Sequence, residues 1–259
     1  MAHNEKLVFV FIPGACHMPE VFNPLRQLMS QQELDSEVVA LPSVGAEPPN
    51  KSLTDDVSHV RSVLQQLAEE GRLLVVVAHS YGGLVGAGAV QGLDYVQRSQ
   101  SGQTGGVIML VYMTALVAPS GNSLYDMIGG KWFPWIKVKG DYCYTSDEEI
   151  VFYNDLSPDE QKKWISKLKH ISVSALMEPV TNEPWHNLAC MYILCEKDMC
   201  LPIALQEQFA STLGRGCILF RCQGSHSPFL SMPNKIIEGL ELAAKVGAER
   251  HGLASQSHI

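Results

Sequence analysis

The chain has 259 residues, enough for one α/β domain with room for an insertion. Hydrophobic residues make up 46%, which supplies a large core, and the net charge of −8 without a basic cluster argues against non-specific nucleic-acid binding. No apolar run is long enough to span a membrane, and seven irregularly spaced cysteines fit reduced core thiols better than a disulfide framework or a zinc site.

Met1-Ala2-His3-Asn4-Glu5-Lys6 runs directly into an apolar segment, leaving no room for a signal peptide, so a cytoplasmic location is expected. Residues 7–12 are apolar throughout, as in a parallel strand buried on both faces. They end in Pro13-Gly14-Ala15-Cys16-His17, a glycine-containing turn. A helix is expected over about 20–32, a strand over about 36–41, a helix over about 53–69 and a strand over 73–78.

The next stretch is the most informative. Val75-Val76-Val77-Ala78 leads through His79 into Ser80, followed by Tyr81-Gly82-Gly83 and an apolar helical run expected to reach about residue 95. A strand that turns sharply into a helix at a serine is a nucleophile elbow. The turn needs small residues two before and two after the serine, and Ala78 and Gly82 supply them. The helix behind it aims N–H groups and the positive end of its dipole at the site, which suits a developing oxyanion. In this arrangement the oxyanion donors are main-chain N–H groups, here assigned to Ala15 and Tyr81.

A polar loop over 99–106 precedes a strand at 107–113, and the β/α alternation resumes only at a strand over 191–195. Glu196-Lys197-Asp198 follows that strand; a helix over about 203–213 and a strand over 217–222 lead to Gln223-Gly224-Ser225-His226-Ser227-Pro228, then a helix over about 234–248. A serine needs a base, and the base needs an orienting acid; behind a nucleophile elbow the chain order is Ser, then Asp or Glu, then His. His226 is the candidate base and Asp198 the candidate acid, with Glu196 as its rival on the same loop.

Several segments together carry a resemblance. They are Gly14-Ala15-Cys16-His17, Ala78-His79-Ser80-Tyr81-Gly82-Gly83, Cys195-Glu196-Lys197-Asp198 with Leu201-Pro202, and Gly224-Ser225-His226 with Leu230 and Pro233. The chain resembles a small α/β-hydrolase, and within that superfamily the plant methylesterase and hydroxynitrile lyase group. The resemblance implies an α/β-hydrolase fold: about six mostly parallel strands with helices on both faces, a core of residues 1–117 and 187–259, and a mainly helical cap at 118–186. All four tryptophans lie in that insertion. His17, Met113, Trp132, Phe133, Trp135 and Ser227 are the expected pocket residues. Hydroxynitrile lyases of the group carry a lysine after the histidine and a threonine near the first strand, where this chain has Ser227 and Gly14. The resemblance therefore favours an esterase over a cyanide-releasing lyase.

The expected activity is a serine carboxylesterase acting on a small or aromatic apolar molecule, with no metal or organic cofactor and a homodimer compatible with the sequence. The same residues could instead serve lactone hydrolysis, C–C cleavage or cyclisation of a polyketide-like metabolite. A non-catalytic receptor is a third reading, weakened because serine, acid and histidine are all present. Arg250 to Ile259 reads as a loose tail, and its Ser257-His258-Ile259 end only weakly resembles a peroxisomal address.

Overall fold

The computed structural model describes residues 6–253, so Ser257-His258-Ile259 lies outside them. The first half of the chain alternates β1 (Leu7–Ile12), α1 (Asn23–Gln31), β2 (Ser36–Val38), α2 (Leu53–Glu69), β3 (Leu73–His79), α3 (Gly82–Ala89), α4 (Tyr95–Gln100) and β4 (Gly106–Met113). An insertion follows, containing α5 (Leu124–Met127), β5 (Ile136–Lys139), β6 (Tyr142–Thr145), α6 (Glu148–Val151), α7 (Pro158–Ile165), β7 (Ile171–Ser172) and α8 (Val173–Met177). The alternation then resumes with β8 (Cys190–Cys195), α9 (Ile203–Thr212), β9 (Ile218–Cys222), α10 (Pro228–Ser231) and α11 (Pro233–Arg250).

Six parallel strands form one sheet in the order β2-β1-β3-β4-β8-β9. Every residue of β3, β4 and β8 is buried, which accounts for their unbroken apolar sequences. Each large aliphatic side chain so buried contributes about 1.5–3 kcal/mol. The chain steps from β1 outward to β2, then back past β1 to β3 and onward to β9. Right-handed crossovers therefore place α1 on one face and α2, α3 and α9 on the other. Contacts of α1 with α11 and of α2 with α3 follow that division.

Several boundaries differ from the sequence expectation, each for a local reason. The helix expected from about residue 20 is a 3-10 turn over Pro19–Phe22 followed by α1, whose first turn carries Pro24. β2 stops at Val38 because it is a sheet edge paired with β1 alone. The elbow helix ends at Ala89; Gly92 takes φ +72°, and Asp94 caps a separate helix, α4, by accepting the Gln97 N–H at 3.1 Å. Beside its helices α5 to α8, the insertion carries a small three-stranded antiparallel sheet of β5, β6 and β7. Ser157 caps α7 by accepting the Glu160 N–H at 3.4 Å. Arg250, read as the start of a tail, is the last residue of α11. Six of the seven cysteines are buried and all are unpaired thiols. Among the described residues no helix is long and apolar enough to cross a membrane.

Candidate active site

β3 ends at His79, and Ser80 follows in the left-handed region at φ +54°. A non-glycine residue is strained there by about 1–3 kcal/mol, so neighbouring bonds must hold it. The Ser80 carbonyl accepts from the N–H groups of Gly83 at 3.0 Å and Leu116 at 3.1 Å, while its own N–H reaches the Met113 carbonyl at 3.4 Å. The turn is as crowded as an elbow requires. A Cβ on Gly82 would lie 2.6 Å from the Pro13 carbonyl oxygen, and one on Gly83 only 2.3 Å from that of Leu116.

The elbow sets the Ser80 hydroxyl 2.9 Å from His226 Nε2, and His226 Nδ1 lies 2.8 Å from Asp198 Oδ2. Nδ1–H donates to the carboxylate, which leaves the Nε2 lone pair free to accept from the serine O–H. Asp198 is buried, and both its oxygens are occupied: Oδ1 accepts from the N–H groups of Cys200 at 2.7 Å and Leu201 at 2.9 Å, and Oδ2 also accepts from the Thr114 hydroxyl. Glu196 turns away to the surface, where it meets Gln223 and Arg221. Thr114, at φ +38° directly after β4, has no counterpart in the sequence reading. The usable signal was its place at the same end of the next strand as the serine.

Ala15 and Tyr81 line the same cavity, and among the described residues their main-chain N–H groups join no backbone hydrogen bond. The Tyr81 side chain is directed elsewhere: its hydroxyl donates to the buried carboxylate of Asp56 at 2.8 Å, which also accepts from the Ser43 N–H at 2.8 Å and hydroxyl at 2.5 Å. Burial raises the pKa of Asp56 above the ordinary carboxylate value, while those three donors oppose the rise. His79 donates Nε2–H to the His226 carbonyl at 2.7 Å. Burial and the neighbouring imidazoles of His226 and His17 hold its pKa well below the ordinary 6.5.

The cavity between sheet and insertion encloses about 590 Å³, counting its open mouth. Phe133, Trp135, Phe152, Leu124, Ile171 and Leu176 form much of its wall, and Thr145 adds a hydroxyl. Among the described residues no Lys, Arg, Asp or Glu lines it. Cys16 and Cys200 do, but burial pushes both thiols up, so they stay protonated and weakly nucleophilic. Of the expected pocket residues, Phe133 and Trp135 are on the wall and four others are not. Met113 is buried within β4, and Trp132 packs on Tyr125 with ring centroids 4.6 Å apart. Ser227 is buried behind the histidine, its N–H on the Ser225 hydroxyl at 3.2 Å. His17 is buried beneath the Ala15 turn, with Nδ1 2.8 Å from the Ala15 carbonyl. Neither adjacency to a site residue in the chain, as for His17 and Ser227, nor a place among the insertion's aromatic residues, as for Trp132, determines the direction of a side chain.

Asp198, Cys200 and His226 bring metal-ligating atoms within 4.8 Å of one another. The carboxylate and both imidazole nitrogens are already engaged in the hydrogen bonds above, so the set fits a proton relay better than a metal centre. The geometry can lower the cost of removing a proton from Ser80 and can present N–H donors to a nascent anion.

A family model for the alpha/beta hydrolase family matches residues 9–238. The chain belongs to the alpha/beta hydrolase family. This hydrolase is similar to the alpha/beta hydrolase nvfD of Aspergillus novofumigatus, 27% identical over 244 residues that cover 92% of this chain and 97% of the relative. A probable hydrolase of a Phoma species is 27% identical over 202 residues, covering 73% of this chain and 77% of the relative. Among solved structures, a pyrethroid hydrolase from Sphingobium faniae superposes with a TM-score of 0.71 at 18% identity, covering 95% of this chain and 100% of that one. A methylesterase from Arabidopsis superposes with a TM-score of 0.70 at 18% identity, covering 93% and 99%. At such identities the structural likeness speaks to the fold of this hydrolase, including its resemblance to the plant methylesterase group.

Proposed function

We propose that this hydrolase is a serine carboxylesterase that cleaves neutral, apolar esters through an acyl-enzyme. The observation that carries the reading is the unbroken relay from Ser80 through His226 to Asp198, opening onto an uncharged cavity. Ser80 Oγ attacks the ester carbonyl as His226 Nε2 takes its proton, and the carbonyl oxygen becomes an anion held by the N–H groups of Ala15 and Tyr81. Collapse breaks the bond to the alcohol oxygen, which leaves with the proton from His226. Water, deprotonated by the same nitrogen, then releases the acid and restores Ser80. Because no lysine, arginine, aspartate or glutamate among the described residues stands on the wall, a carboxylate or ammonium on the substrate would be poorly compensated for its lost water, which favours neutral substrates. The insertion acts as the cap that shapes the acyl and alcohol sites.

Cyanide release fits poorly. No cation stands on the wall to receive a departing anion. At Gly14, a Cβ would meet that of Ser80 at 2.8 Å, so a threonine has no room there without a shift.

The test is a panel of p-nitrophenyl and methyl esters of small aliphatic and aromatic acids, beside mandelonitrile, with wild type and Ser80→Ala. Wild type is expected to hydrolyse esters and to release no cyanide above background. Ser80→Ala should lose about 10⁴-fold or more in rate with unchanged circular dichroism. Ester turnover surviving in folded Ser80→Ala would refute the mechanism. If no ester reacts but Ser80 takes up a fluorophosphonate, lactone or C–C hydrolysis moves ahead of ester cleavage.

A further inference from the structure

Four consecutive residues of the insertion, Phe152-Tyr153-Asn154-Asp155, follow α6 and together reach three loops of the site, those of Ala15, Asp198 and His226. The Phe152 ring lies against the His226 imidazole, centroids 5.5 Å apart and planes at 28°, and its carbonyl accepts from the Ser225 hydroxyl at 3.3 Å. Tyr153 is fully buried and its hydroxyl is 3.0 Å from His17 Nε2. Asn154 Nδ2 donates to the carbonyl of Lys197, the residue before Asp198, at 3.0 Å. Asp155 Oδ2 accepts the N–H of Ser225, the residue before His226, at 2.8 Å.

The Tyr153 contact extends to an oxyanion donor. Burial lowers the pKa of His17 to about 4, so the ring is neutral at neutral pH and has one N–H. Tyr153 O–H donates to Nε2, which fixes the tautomer with the proton on Nδ1, and Nδ1–H donates to the Ala15 carbonyl at 2.8 Å. The next residue, Cys16, is held at φ +66°, where a side-chain-bearing residue is strained. Its carbonyl is secured by the Lys169 N–H at 3.0 Å, again from the insertion. The turn that carries the Ala15 N–H is thus strained by itself and held in place by residues outside the sheet.

We propose that Phe152–Asp155 is a positioning element: this one stretch sets the register of the Ala15, Asp198 and His226 loops against each other, so that turnover depends on Tyr153, Asn154 and Asp155 although none of them meets the reacting atoms. The inference rests on the esterase reading. If the stretch served only to anchor the insertion, its loss would alter melting temperature and the shape of the cavity, hence KM. A positioning role predicts a loss in kcat, because a misplacement of about 1 Å can cost about 10²-fold in rate.

The test uses the full chain with Tyr153→Phe, Asp155→Ala and Asp155→Asn, on p-nitrophenyl acetate and with phenylboronic acid as a tetrahedral-adduct mimic. Tyr153→Phe removes one hydroxyl and keeps the volume. It should lower kcat about tenfold, leave KM within about twofold, and weaken boronate binding by the same factor as kcat/KM. Asp155→Ala should lower kcat by about 10–100-fold, and Asp155→Asn, which keeps an acceptor for the Ser225 N–H, should recover most of that loss. Wild-type kcat in folded Tyr153→Phe and Asp155→Ala overturns the proposal, as does a loss confined to KM. If Asp155→Ala does not fold, Tyr153→Phe decides alone. A wild-type protein that neither turns over the ester nor binds boronate any better than Ser80→Ala brings down the esterase reading and this inference together.

Discussion

The sheet and the insertion both contribute to the cavity, but they are built by different means. On the sheet side, Ser80, Thr114, Asp198 and His226 each follow closely on the C-terminal end of β3, β4, β8 or β9, and the ladder of parallel strands fixes their spacing. On the other side, the longest helix, α7, has eight residues, β5 is largely exposed, and side-chain hydrogen bonds make many of the ties to the body. Chemistry needs atoms held within fractions of an ångström, which a buried ladder provides. Selectivity needs shape, which short exchangeable elements can provide without touching the ladder.

That contrast can be broken most severely on the sheet side. Asp198→Asn should lower kcat/KM by about 10⁴-fold, since an amide favours the wrong imidazole tautomer, whereas Glu196→Gln, on the surface of the same loop, should change it less than twofold. Equal effects from the two would mean that the loop as a whole, not the buried carboxylate, orients His226. Gly83→Ala should cost about 3 kcal/mol in urea unfolding, because its Cβ would be driven to 2.3 Å from the Leu116 carbonyl oxygen. Wild-type stability in that variant would show the elbow to be far more pliable than its packing implies.

Acid tests both sides at once, through His17 and His79. Each ring has its pKa depressed in the fold, to about 4 for His17, against 6.5 when unfolded. The unfolded chain therefore takes up protons first as pH falls. Stability should be complete above about pH 6.5 and decline toward pH 4, by at most about 1.4 kcal/mol per unit for each histidine. Urea midpoints at pH 7.5, 5.5 and 4.5 measure this, and His17→Gln should flatten part of the slope. A midpoint unmoved by pH would mean the rings can be charged in place. The mildest change belongs to the insertion wall. Trp135→Ala should shift the preference between bulky and small acyl esters by about tenfold while leaving the best ester's kcat within a few-fold. A uniform loss on every ester would instead place Trp135 in the reactive machinery.

Legibility in the sequence follows the same division. Strands buried on both faces are written as unbroken runs such as Leu73–His79, and a serine followed by two glycines at the end of one has few other structural meanings. Asp198 was readable because it sits just after such a strand, β8, and His226 because its Gly224-Ser225 loop follows the edge strand β9. Helix ends were less so: Gly92 and Asp94 interrupt an apolar run that by periodicity alone continues. In the insertion the aromatic residues hid the pattern. Tyr142–Thr145 forms β6, yet its rings read equally as cavity wall, and Tyr153 lies in no motif at all. Its partner His17 is 136 positions away, a pairing that only the folded chain creates.

β4 and β8 are parallel neighbours in the sheet, with Leu110 opposite Cys190, so the long stretch between them is a crossover that leaves the C-terminal end of β4 and re-enters at the N-terminal end of the adjacent strand. Closing a loop costs only about 0.6 kcal/mol more for each doubling of its length, so this stretch can grow or shrink with little effect on the folding of the sheet. An engineer grafting the corresponding stretch from a relative would expect the strands to tolerate the exchange. The graft would still have to supply its own acceptor for the Ser225 N–H, its own donor for the Lys197 carbonyl and its own hydroxyl for His17. Lineages that remodel this region for new substrates should therefore drift freely around Phe152–Asp155 and change those four positions last, leaving a slow-evolving island within a stretch otherwise free to vary.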